Sequence, residues 1–94
     1  MVYIDKVHYE MDNQGFEFIS TVKWTINFYE NATQESTKKQ MIDFINKNPN
    51  CTKTKYVRNG FWTMGEDVRV VANQYLRTDA NHIAKDNLEN LPRY

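Results

Sequence analysis

Alternation of apolar and polar side chains is the clearest signal in this chain, and it is sharpest between Phe16 and Asn27. Phe16, Phe18, Val22, Trp24 and Ile26 hold even positions, while Glu17, Thr21, Lys23, Thr25 and Asn27 stand between them. Successive side chains of a strand point to opposite faces, so this period of two predicts a strand whose even row is dry and whose odd row is wet. Ile19 departs from the row and reads as local cover for the other face. Upstream, Tyr3, Val7, Tyr9 and Met11 share one parity within Val2 to Met11 and predict another strand, with Ile4 breaking the pattern. Asp12-Asn13-Gln14-Gly15 joins the two, and its Asn and Gly accept the positive backbone angles of a tight turn. A hairpin is expected.

Alternation stops at Glu30. Good helix formers run from Gln34 to Lys47, with Thr37, Met41, Phe44 and Ile45 at helical spacing and Ile42 beside them. Asn31 and Gln34 resemble a capping box that would open this helix. Asn48-Pro49-Asn50 should close it, because proline restricts the residue before it and cannot extend the ladder. Two more extended segments follow, Thr52 to Arg58 and Asp67 to Arg77, and Gly60 and Gly65 bracket Phe61-Trp62-Thr63-Met64 as a short strand or a hairpin tip. Near the end, Asp86 is a good helix cap, and Leu88 and Leu91 would share one side of a single turn stopped by Pro92. The pattern predicts an α+β fold: an antiparallel sheet of about four strands, in the order β-β-α-β-β, with one helix packed on it and a short C-terminal helical turn.

Length and composition set the class. The 94 residues predict a single domain spanning 1–94, since two cores would each be too small. Hydrophobic residues at 40% and charged residues at 26% suit a folded chain rather than a disordered one. No apolar run approaches membrane-spanning length, and the first ten residues carry Asp5, Lys6, His8 and Glu10 where a signal peptide needs an apolar core. A cytoplasmic location is expected, and the matches to a glycosylation pattern at Asn31 and Asn50 then carry no weight. Cys51 is the sole cysteine, so it reads as a reduced thiol in a loop rather than half of a bridge.

Formal charge is zero overall, but acids dominate up to Glu35, whereas Lys47, Lys53, Lys55 and Arg58 follow with no acid between them. That stretch is either one end of a polarised surface or a solvated lysine-rich loop. Zero net charge argues against non-specific binding to long nucleic acid, whose affinity is built from many phosphate contacts.

The closing segment carries a further signal. Tyr75-Leu76-Arg77-Thr78, then Asp86-Asn87-Leu88 and Leu91-Pro92, resemble the closing signature of a small bacterial and phage family of domains of unknown function. Between Tyr75 and Pro92 this chain departs from that signature in a longer loop containing Asn81, His82 and Ile83, and its first half is unusually aromatic. The resemblance implies a bacterial-host context, not a reaction.

No catalytic set is visible. His8 and His82 stand at opposite ends of the chain, Cys51 has no histidine at a diagnostic spacing, and Gly15, Gly60 and Gly65 do not form a phosphate loop. A protein without enzymatic activity, metal or cofactor is expected. The chemistry-bearing feature is the mixing of arginine with aromatic rings around Tyr56 to Trp62, Asn73 to Arg77, and Arg93-Tyr94. Rings stack on bases and guanidinium forks hold phosphates, so Arg58, Trp62, Tyr75, Arg77 and Arg93 are the expected ligand-binding residues for a small anion such as a nucleotide signal. The competing reading makes Trp62 and Tyr75 ordinary sheet aromatics and the arginines solvated. In the phage or mobile-element context the first reading predicts sequestration of a host immune nucleotide. The alternative is a protein-binding inhibitor or adaptor acting on a host protein, since Tyr, Trp and Arg dominate interface energetics. Exposed sheet edges in so small a domain predict a homo-oligomer under either.

Overall fold

The computed structural model describes residues 1–79, 85–88 and 91–94. Strands β1 (Val2–Met11) and β2 (Glu17–Thr25) form the expected hairpin. Its turn is built by Asp12, whose Oδ1 accepts the N–H groups of Gln14 at 2.9 Å and Phe16 at 3.0 Å, and by Gly15 at φ +84°.

Two bulges decide which side chains reach the core. Asp5 is an extra residue of β1 between the pairs Ile4↔Trp24 and Lys6↔Lys23, and Ser20 is one of β2 between His8↔Thr21 and Tyr9↔Ile19. An extra residue reverses the parity beyond it. Val2 and Ile4 therefore share the core face with Val7 and Tyr9, where Ile4, Val7 and Tyr9 pair across the strands with Trp24, Val22 and Ile19. The even row is only half right: Val22 is buried and Trp24 packs on the core, but Phe16, beyond the Ser20 bulge, is 66% exposed and Ile26, past the end of β2, is 74% exposed. Ile19 is fully buried in the main core.

The expected strand order is overturned. The chain is mostly β, in the order β1-β2-β3-α1-β4-β5-β6-β7, where β3 is Gln34–Thr37, α1 Lys38–Lys47, β4 Thr52–Arg58, β5 Phe61–Asp67, β6 Arg69–Val71 and β7 Tyr75–Arg77. Five strands make one mixed sheet, β3-β2-β1-β4-β5, and β6 and β7 make a second, small one. The β1–β4 pair is parallel, through Val2↔Thr52, Tyr3↔Lys53 and Ile4↔Thr54.

The causes are local. Gln34 to Thr37 pair with β2 instead of opening the helix, because the capping box sits at Thr37 and Gln40. Thr37 Oγ1 accepts the Gln40 N–H at 3.1 Å and Gln40 Oε1 accepts the Thr37 N–H at 2.9 Å. The segment Asp67 to Arg77 is not one strand, because Ala72 and Asn73 adopt φ +52° and +55° and fold it into the β6–β7 hairpin. Asn59 and Gly60, at φ +54° and +81°, turn β4 into β5.

Helix α1 places Met41, Ile42 and Ile45 in the core. It lies against β2, β3 and the small sheet, so Val2, Ile4, Val7, Ile19, Val22, Leu76, Leu88 and Leu91 join the same cluster. The opposite face of the large sheet is crossed by residues 26–33. Lys55, fully buried, donates to the backbone oxygens of Asn27 (3.3 Å), Phe28 (2.9 Å) and Glu30. Asp5 Oδ2 accepts the Ala32 N–H at 2.8 Å, and Phe28 meets Tyr3 edge to face at 5.3 Å. The basic stretch is therefore neither a loop nor a patch: Lys55 is internal, and Lys53 pairs with Asp67 at 3.1 Å.

The expected C-terminal helical turn is also overturned. Asp86 does not cap its own segment; its carboxylate accepts Ile19 N–H at 2.8 Å, Leu76 N–H at 2.9 Å and the Lys38 ammonium at 3.0 Å. Asn87 runs parallel to Arg77. Val7 donates to Pro92 O and accepts from Tyr94 N–H, both at 3.0 Å, so residues 92–94 continue along the edge of β1 that β4 leaves after Ile4. Leu88 and Leu91 are buried, as expected of a clamp. The Asn81-His82-Ile83 loop lies outside the described residues.

Candidate functional site

Three of the five expected ligand-binding residues meet. Tyr75 and Arg77 come from β7, and Arg93 follows Pro92 on the segment beside β1. They line two adjoining clefts, of about 720 Å³ and 400 Å³, that share Glu17, Lys85 and Asp86 as a common wall. Phe16, Phe18 and Tyr75 make the apolar half; Arg77, Arg93 and Tyr9 make the charged half. Arg58 and Trp62 stand outside this depression, on the β4–β5 hairpin. Arg58 is exposed opposite Phe61. Trp62 is half-buried, with the Lys55 ammonium 3.8 Å from its ring centre.

Each arginine already holds a carboxylate. Arg77, only 4% exposed, donates Nε and Nη2 to the two oxygens of Asp79 at 2.9 and 2.8 Å, and Nη1 to Lys85 O at 2.8 Å. It fixes the chain on either side of the loop and is a positioning group. Arg93 grips Glu17 with both Nη atoms, at 2.9 and 3.2 Å, and its guanidinium lies 4.1 Å from the Tyr9 ring centre. The hydrogen bond from Arg93 holds the Glu17 carboxyl below its usual range. Burial pushes the Tyr9 phenol up, against the pull of Arg93.

The two ion pairs differ in what they permit. Glu17 and Arg93 are 43% and 57% exposed, and an exposed pair contributes little, so another anion can take Glu17's place at low cost. Asp86 is saturated by two N–H groups and Lys38, which offset its field. Lys38 also lies 5.4 Å from the Tyr75 ring centre and 5.7 Å from that of Phe18. The depression thus has a planar apolar wall roofed by an ammonium, beside a set of three further cations.

Sequence reading missed Lys85, Lys38, Tyr9 and the two phenylalanines of this depression. Parity places Phe16 in the core, but beyond the Ser20 bulge it turns outward. Among the described residues no group of three or more His, Cys, Asp or Glu side chains is placed to hold a metal. His8 shares a hydrogen bond with the backbone oxygen of Tyr94 through Nδ1, and Cys51 is a half-buried free thiol. No helix among the described residues is long and apolar enough to cross a membrane.

No curated protein and no solved structure matches the chain. A family model does match, over residues 4–92, a span that takes in most of the first hairpin, the helix, Asp86 and Pro92. The chain belongs to that family, described as Protein of unknown function (DUF3892).

Proposed function

We propose that this chain is a non-enzymatic binding module that captures a small anionic ligand with a planar body, of the nucleotide type. The observation that supports it is the pairing of halves in one depression: Phe18 and Tyr75 beside Arg93, Arg77 and Lys85. In this reading the base stacks against Tyr75 and the phosphate displaces Glu17 from the Arg93 guanidinium, while Lys85 adds a second positive contact. Arg58 and Trp62 play no part in it. The resemblance of the closing segment to a bacterial and phage signature supports placing the protein in a bacterial host, as a phage or mobile-element accessory that sequesters a nucleotide immune signal and so antagonises host defence.

Calorimetry against mono-, cyclic and dinucleotides tests this. One class should release heat, and Arg93→Ala or Lys85→Ala should each weaken it about tenfold or more, the loss of one charge-assisted contact. Silence across the whole panel removes the reading.

A second reading, an adaptor or inhibitor of a host protein, draws support from the outermost hairpin. Val57, Phe61 and Met64 are 60%, 75% and 45% exposed there, on and next to a free sheet edge. A homo-oligomer would use the same edge. Phe61→Lys should abolish a stoichiometric host-protein complex without changing nucleotide heat; a complex that survives it rules out this surface.

A further inference from the structure

A different cleft carries chemistry that the depression does not use. After Ile4, β4 and the 92–94 segment flank β1 in turn, and the place where one gives way to the other is a cleft of about 420 Å³. Tyr56, Val57, Trp62, Leu91 and Pro92 supply its apolar walls, and Asp5 and Lys6 its charges. Asp5 is 2% exposed, held there by the β1 bulge. Its Oδ2 takes the Ala32 N–H, but its buried Oδ1 has no hydrogen-bond partner among the described residues. The Lys6 ammonium is 3.7 Å from Oδ1, beyond hydrogen-bond reach, and that side chain is 33% exposed.

A buried carboxylate oxygen left without a donor is costly, so the site favours a ligand that brings one. A cationic donor is a poor fit, because Lys6 and Lys55 both stand near. A carbonyl, by contrast, would suit the Lys6 ammonium, which swings aside from Oδ1 as the donor enters. We infer that this cleft binds a neutral planar lactam or imide, its N–H donated to Asp5 Oδ1, its adjacent C=O accepting from Lys6, and its ring packed against Trp62 and Tyr56. Such a ring is small enough for a cleft of this size. The inference stands apart from the anion-binding reading and fails or survives separately from it.

The probes are 2-quinolone, which has the N–H beside the C=O, and N-methyl-2-quinolone, which lacks the N–H and keeps the shape. Titrated into the full chain and followed by ¹H–¹⁵N spectra, 2-quinolone should shift the Trp62 indole and Val57 amide signals saturably. The methylated probe should bind about tenfold or more weakly, the factor for one hydrogen bond to a charged group. Lys6→Met should weaken 2-quinolone severalfold and leave the methylated probe's discrimination intact. Asp5→Asn, whose carbonyl still accepts the Ala32 N–H, should erase the difference between the probes. Equal binding of both probes, or no saturable shift at Trp62, overturns the inference. If Asp5→Asn fails to fold, the two probes on the unaltered chain decide it alone.

Discussion

At the scale of single residues, the fold depends on polar side chains that act across long stretches of sequence. Asp86 is the clearest: one carboxylate, 1% exposed, accepts backbone N–H groups from β2 and β7 and pairs with the first residue of α1. Three elements thereby meet on one side chain. Asp86→Ala removes the acceptor for two buried N–H donors and leaves Lys38 unpaired, so it should cost about 3 kcal/mol. Asp86→Asn keeps a single carbonyl and should fall between. Urea midpoints of the three chains check the order, and an alanine variant as stable as the parent would show that the carboxylate is dispensable. Lys55 acts likewise on the other face, where burial lowers its pKa and the oxygens of residues 27–30 replace water around it.

At the scale of elements, what was legible in the sequence is what local chemistry decides. The Asp12–Gly15 turn, the apolar stripe of α1 and its stop at Asn48-Pro49 all follow from residues within one turn of each other. Parity is legible too, but its two exceptions mark bulges, and Ile19 is not cover for the other face. Ile4 and Ile19 break the alternation because Asp5 and Ser20 are bulges; both are core residues beside Val7 and Val22, and the parity reverses beyond each bulge. The parallel pairing of β1 with β4 joins residues fifty apart, and no local pattern encodes it. The expected ligand residues divide for the same reason. Tyr75, Arg77 and Arg93 meet because Asp86 and the Pro92–Tyr94 segment bring the end of the chain to β1, whereas Arg58 and Trp62 went to a hairpin whose Asn59-Gly60 turn was itself a readable signal. A third bulge, at Gly65, gives a prediction at this scale. A Cβ on Gly65 would stand 2.0 Å from Thr54 Oγ1 and 3.0 Å from Thr54 O, and the same hydroxyl accepts the Glu66 N–H at 3.2 Å. Gly65→Ala should therefore cost about 2 kcal/mol through overpacking. Gly15→Ala meets open space and should cost only the strain of its positive φ, about 1 kcal/mol. Denaturation midpoints in the reverse order would contradict the close approach at Thr54.

For the molecule as a whole, the closing segment is a seam, and titration reports on it. Tyr94 reaches Thr21 through its hydroxyl at 2.8 Å and receives the Lys23 ammonium 5.0 Å from its ring centre, while Tyr9 lies beneath Arg93. Burial is the main reason both phenols are pushed above 10.0 in the folded chain; Arg93 opposes it at Tyr9, and the hydrogen bond with Thr21 opposes it at Tyr94. The folded state therefore holds these protons more tightly than the unfolded state. Its advantage is complete below pH 10.0, where both states are protonated, and is lost as pH climbs through the raised folded values. Lys55 has the opposite sign. Its folded pKa is lowered from 10.5, so the folded chain releases that proton first and stability rises with pH in the window just below 10.5. The two contributions separate by substitution. Urea midpoints taken from about pH 8 to 11 should fall steeply above pH 10.0 in the parent chain and distinctly less in a Tyr9→Phe, Tyr94→Phe double variant, whatever its baseline stability. Lys55→Met should instead steepen the net fall, because the opposing rise is gone. Parallel profiles for the parent and the double variant would mean that these phenols ionise alike in both states, and that the seam between β1 and residues 92–94 is wet rather than packed.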